Sequence, residues 1–165
     1  MRCFANGDLD RAALGHYLRL QFAIHCALEP GVAAYLPADF SNQRKADWLA
    51  SDYRDAFGGP PEGCSVPVPE ITSEVTALGV SYVLEGSTLG LQMVRKRHLA
   101  AGHDDWWVAS RFVRGYGDDA GRHWKQLLGM LDAVPESNWP EATAAAHATF
   151  ATYLQAFSSI ESRRS

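Results

Sequence analysis

The sequence predicts an all-α protein, a single multihelical domain, and three observations carry that prediction. Apolar residues recur at helical spacing in every long stretch, and no stretch shows the alternation of a half-buried strand. Prolines and paired glycines fall between the periodic stretches. The chain, at 165 residues and 47% apolar, is long enough for one substantial core. About six helices joined by short loops then pack with neighbours mostly antiparallel.

Composition excludes several function classes. The net charge is −4 and no long basic block occurs, so the electrostatic footprint of a nucleic-acid binder is missing. Charges interrupt every apolar run well short of the ~18–20 residues of a membrane span. Met1 to Asp8 contains no secretory apolar segment. Cys3, Cys26 and Cys64 are odd in number and widely spaced, which fits reduced cytoplasmic thiols better than a zinc pattern or a disulfide framework.

A first helix is expected from Asp8 or Asp10, either of which can cap it. Ala13, Tyr17, Leu20, Ile24, Ala27 and Leu28 form one apolar face, and Leu14, Leu18, Phe22 and His25 a second beside it. Pro30-Gly31 punctuates this helix, as a stop or as a kink before Pro37. A second helix runs from Ser41 or Asn42 to Phe57, with Trp48, Leu49, Tyr53, Ala56 and Phe57 inward. Arg44, Lys45, Asp52 and Asp55 are expected to face water. Gly58-Gly59-Pro60-Pro61 ends it, and residues 58–69 form a surface connection. A long helix follows from Thr72 to Ala100, with Arg95 to His98 at the negative end of its dipole. Asp104 to Arg114 is amphipathic and includes Trp106-Trp107. Asp118 to Val134 is helical, burying Trp124, Leu127, Leu128 and Leu131. The last helix begins near Asn138, with Pro140 in its first turn and Ala142, Ala146, Thr149, Phe150, Tyr153, Leu154 and Phe157 as its stripe. Residues 1–7 and 161–165 are expected to fray.

The long helix keeps Gly79, Gly86 and Gly90 in its interior, each costing about 1 kcal/mol against alanine. Their spacing puts them on one face. Something therefore approaches that face closely, either another helix or a flat ligand. No other chemistry stands out. The six histidines include no i, i+4 pair and no HExxH, and there is no nucleophile elbow, P-loop or dinucleotide fingerprint.

Tyr82 to Gly90 reads YVLEGSTLG, which resembles the distal-helix motif YVLEGSxLGG of the bacteriophytochrome-associated bacterial heme oxygenases. Residues 44–57, the segment from Phe112 through Tyr116-Gly117, Gly121 and Trp124-Lys125 to Leu131, and residues 146–157 are similar to other parts of that family. The resemblance covers about residues 8 to 160. It implies a heme oxygenase-like fold with a glycine-kinked distal helix against the porphyrin. It also implies the O2- and electron-dependent opening of heme to biliverdin, with loss of iron and carbon monoxide. Heme, as substrate and cofactor, and an electron donor are the partners so implied, with no other metal. By the same resemblance Gly86, Ser87, Gly90 and Leu91 line the reacting side. Lys125, Arg122, Tyr82 and His25 become cofactor-side residues, the two basic ones near the propionates.

The chain departs from the family pattern at two places. The sixteen residues before Tyr17 hold no counterpart of the axial-histidine motif, so the iron ligand is unassigned. The family's second glycine is replaced by Leu91, which is expected to refill part of the heme face. The enzyme and a divergent member kept as a ligand-binding or protein-contact module both remain open. Loss of the first helix would expose an apolar groove that a homodimer could cover.

Overall fold

A computed structural model describes residues 11–41, 44–62, 65–102 and 109–162. The described residues are helical, with no strand among them. The expected caps at Asp8 or Asp10, the start at Asn42, Cys3, Cys64, residues 1–7, 163–165 and the Trp106-Trp107 pair lie outside these residues. The elements are α1 (Arg11–Tyr35), α2 (Ala38–Ser41), α3 (Lys45–Phe57), α4 (Glu74–Ala100), α5 (Arg111–Arg114), α6 (Ala120–Asp132) and α7 (Trp139–Ser162). No helix among them is long and apolar enough to cross a membrane.

Helix α1 continues through Pro30 to Tyr35. Proline removes the N–H that would bond the Cys26 carbonyl, but Cys26 and Pro30 are both exposed, so water can take the vacated bond. Helix α3 ends at Gly58, whose φ of 82° closes an αL cap onto the Arg54 carbonyl. Helix α4 starts at a capping box: Thr76 N–H donates to Ser73 Oγ and Ser73 N–H donates to Thr76 Oγ1. Ser73 Oγ also donates to Glu141 Oε1 at 2.5 Å, tying the start of α4 to the start of α7.

From that joint α4 and α7 run in the same direction and pack closely. Gly79 lies against Ala142 and Ala145, where an added Cβ would collide with the Ala142 carbonyl oxygen. The main core fills the space between α1, α4, α6 and α7, around Ile24, Leu28, Leu78, Val80, Leu84 and Leu127. A smaller cluster of Tyr17, Leu18, Leu49, Phe112 and Val113 joins α1, α3 and α5. The connection before α4 contributes too, because Val66, Val68 and Ile71 pack on the main core and Thr152 Oγ1 donates to the Pro67 carbonyl.

Several positions differ from the pattern expected of isolated helices. Ala27 is exposed, and so are Leu128, Phe150 and Leu154, the last at 69%. Thr149 is buried as expected, and the rest of the buried line of α7 is Ala145, Thr152 and Ala156, small residues that permit the close approach to α4. Lys45 and Asp52, expected in water, are each only 2% exposed. Asp52 accepts from Ser110 Oγ at 2.6 Å, from the N–H groups of Arg111 and Phe112, and from the Arg111 guanidinium. It thus caps α5 from across the fold and pins α3 to it.

Candidate functional site

Helix α4 presents two faces with different chemistry. At about 100° per residue, Gly79, Gly86 and Gly90 share one face, while Ser81, Glu85, Thr88 and Gln92 share the opposite one.

The glycine face is not uniform. Gly79 sits in the α7 seam. Over Gly86 stands the Trp124 ring, 3.7 Å from where a Cβ would be, an ordinary van der Waals contact. Gly90 has no atom of the described residues within 4 Å of that position. Tyr82, 41% exposed, lies against Trp124 with ring centroids 5.4 Å apart. Ser87 turns back on its own helix, donating to the Leu84 carbonyl, beside the buried phenol of Tyr153. Leu91 packs into the smaller core cluster with Leu18 and Phe112. The expectation that Leu91 refills the glycine surface is therefore corrected: one residue of helical rotation carries it to the α1 side. On α6, Lys125 is exposed and Arg122 pairs with Asp119 at 3.0 Å. The structure thus assembles Tyr82, Gly86 and Trp124, with Gly90 open one turn further on.

The opposite face is polar and buried. Glu85 Oε1 receives Lys45 Nζ at 2.9 Å and the Tyr116 hydroxyl at 3.2 Å. Lys45 Nζ also donates to the Leu84 carbonyl and lies 5.5 Å from the Tyr116 ring centroid. His123 Nε2 stands 3.4 Å from Glu85 Oε2, and its ring is held between Phe40 at 4.4 Å and Tyr116 at 4.1 Å. His25, wholly buried, shares a hydrogen bond between its Nδ1 and Glu29 Oε1 at 3.0 Å. The same Glu29 oxygen accepts the Ala46 N–H, joining α1 to the first turn of α3. Phe112 meets the His25 ring edge-on.

Electrostatics follow from this arrangement. Burial pulls the His25 imidazole below its ordinary value of 6.5, opposed by the bond to Glu29, so the ring is neutral at pH 7. Burial alone would raise Glu85, but Lys45, His123 and their hydrogen bonds outweigh it and hold the carboxyl down at about 2. Burial and the Glu85 charge push the Tyr116 phenol far up, so it stays a donor. Two small cavities adjoin the cluster. One of about 20 Å³ is bounded by His25, Glu29, Lys45, Ser81 and Glu85 among others. One of about 10 Å³ lies between Glu85, Thr88, Tyr116, His123 and Trp124.

His25 and His123 both lie on the Ser81–Glu85 side of α4, away from the glycines. Among the described residues no cluster of three metal-ligating side chains occurs. Sequence reasoning tracked His25 but missed Lys45, Glu85 and His123 as a unit. The available signal was a motif glutamate, Glu85, inside an otherwise apolar turn, which needs a buried cation somewhere in the fold. Compared with known proteins, the chain matches no family model, no curated protein and no solved structure.

Proposed function

We propose that this chain is a heme oxygenase-like protein that takes a planar tetrapyrrole against α4 at Gly90. Oxidative opening of heme to biliverdin, with release of iron and carbon monoxide, is its proposed reaction. One observation supports the binding surface above the others. Among the described residues Gly79 and Gly86 have neighbours, whereas Gly90, in mid-helix, has none within 4 Å. A helix that keeps an unpacked interior glycine forgoes about 1 kcal/mol. A flat ligand resting on bare backbone supplies a reason for it. The Tyr82–Trp124 ring pair, one turn away, offers further stacking area.

The residues that would hold iron do not fit as well. His25 is wholly buried, oriented by Glu29 and turned away from the glycine face, so it does not serve as the axial ligand of a heme at Gly90. That misfit favours a second reading, a tetrapyrrole-binding or protein-contact module of this scaffold without heme opening. Arg122 and Lys125, close to Trp124 in sequence, are the cationic side chains suited to carboxylates on the ring's edge.

Titration with hemin tests the binding, and turnover with a reductant and O2 tests the reaction. The expected result is a saturable Soret shift that Gly90→Leu abolishes and His25→Ala leaves in position. Verdohaem or biliverdin absorption on adding reductant supports the enzyme; binding without it supports the module. Uptake that never saturates, or that Gly90→Leu leaves unchanged, rejects the surface.

A further inference from the structure

The cavity of about 20 Å³ among His25, Ser81, Lys45 and Glu85 is bounded by polar groups that the chain itself leaves without partners. His25 Nε2 and Ser81 Oγ are buried and make no hydrogen bond to the described residues, at 0% and 2% exposure. Glu85 borders the same cavity, while its Oε2 meets His123, a lining residue of the second cavity, at 3.4 Å. A buried donor or acceptor is rarely left unmet, and two beside a buried ion pair around one space are not the mark of an empty apolar void. A void of at least ~10–15 Å³ admits one water, provided two to four polar partners surround it. This one meets both conditions. It is far too small for any ring.

We propose that this cavity is a built site for a single water, bound by donating to His25 Nε2 and to Glu85 and by accepting from Ser81 Oγ or Lys45. The geometry assigns the tautomer of His25. Glu29 Oε1 lies 3.0 Å from Nδ1 and also accepts the Ala46 N–H, so it acts as an acceptor and Nδ1 carries the hydrogen. Nε2 is then the acceptor, and it takes the water's hydrogen. The groups facing the ring are Glu29 on α1, Lys45 on α3, Glu85 on α4 and the apolar edge of Phe112 on α5. Glu85 borders the second cavity as well, which ends at Trp124. The bound water therefore joins the Glu29–His25 pair to the carboxylate next to the Trp124 side of α4. The site lies on the opposite face of α4 from Gly90, so it stands or falls independently of ligand binding there.

The test is a pair of measurements on the uniformly ¹⁵N-labelled full chain at pH 7. Long-range ¹H–¹⁵N correlation of the histidine rings reads the tautomer, and water-selected NOE spectra read the bound molecule. The expected result is His25 protonated at Nδ1 only, with a cross-peak from water to its ring hydrogens that persists on the nanosecond scale. Ser81→Ala removes one partner and is expected to weaken that cross-peak; Ser81→Val fills the space and is expected to abolish it while the tautomer is kept. A His25 proton on Nε2, or a folded wild-type spectrum with no water cross-peak at the ring, overturns the proposal. The wild-type spectrum alone decides the matter if a variant fails to fold.

Discussion

Replacing Lys45 by methionine keeps most of the side chain's bulk and removes only its charge and donors. In the native protein Lys45 Nζ is 2.9 Å from Glu85 Oε1, at 2% and 12% side-chain exposure. Its other acceptor, the Leu84 carbonyl, also receives the hydroxyls of Ser87 and Thr88, so that oxygen remains satisfied. The cost falls on Glu85, left with the Tyr116 hydroxyl and the more distant His123. Partners in the fold hold Glu85 at about 2 against 4.5 for a free glutamate. That difference corresponds to about 3 kcal/mol at 1.36 kcal/mol per pKa unit. It agrees with the ~3–5 kcal/mol lost when one partner of a buried pair is removed. Because the folded value is depressed, this stability is present above pH 4.5 and lost as pH falls toward 2. Lys45→Met is therefore expected to lower unfolding free energy at pH 7 by about 3 kcal/mol and to flatten the acid limb of the stability curve. Urea denaturation followed by circular dichroism at pH 7, 5 and 3 measures both. The double variant Lys45→Met/Glu85→Gln is expected to recover much of the loss, since no buried charge is then stranded. A single variant within about 0.5 kcal/mol of wild type at pH 7 would refute the reasoning, since it would behave like an ordinary surface substitution.

Other perturbations separate the remaining claims. Asp52→Ala deprives Ser110 and two α5 N–H groups of their acceptor and is expected to cost about 2–3 kcal/mol in the same denaturation assay; an unchanged midpoint would deny the clip between α3 and α5. His25 has a lowered pKa because it is buried, so the unfolded chain binds its proton first and stability falls as pH drops below about 6.5. His25→Phe should remove that part of the pH dependence between 7 and 5, and an identical slope in both proteins would count against it. Gly79→Ala meets the Ala142 carbonyl and is expected to destabilise, whereas Gly90→Ala meets none of the described residues and should stabilise by up to about 1 kcal/mol. Equal melting shifts for the two would mean that the glycine face is not divided as described.

The approximate extents of α4, α6 and α7 and the end of α3 were legible because each is a local matter of apolar spacing and of Gly/Pro stops such as Gly58-Gly59-Pro60-Pro61; the continuation of α1 through Pro30 and the separate turn Ala38–Ser41 ahead of Lys45 were not. Gly79, Gly86 and Gly90 were legible as one surface for the same reason, a 3.6-residue period. Which surface neighbours would cover was not. Gly79 faces α7, Gly86 faces Trp124 and Gly90 meets none of the described residues, although the sequence treats all three alike.

Charge was the least readable quantity. Lys45 and Asp52 occupy polar positions on α3 and look solvated in any window of the sequence. They are buried because Glu85 lies 40 residues on, and Ser110 to Phe112 lie nearly 60 residues on. Periodicity reports the preference of one helix for water or core. Burial of a charge depends on a partner, and the partner is chosen only when helices pack. The sequence by itself determined the helical class, the approximate extents of the longer helices and the glycine stripe. The tertiary structure decided that the face of α4 opposite that stripe carries a buried, charge-paired cluster, because only packing brings the cation on α3 to the carboxylate on α4.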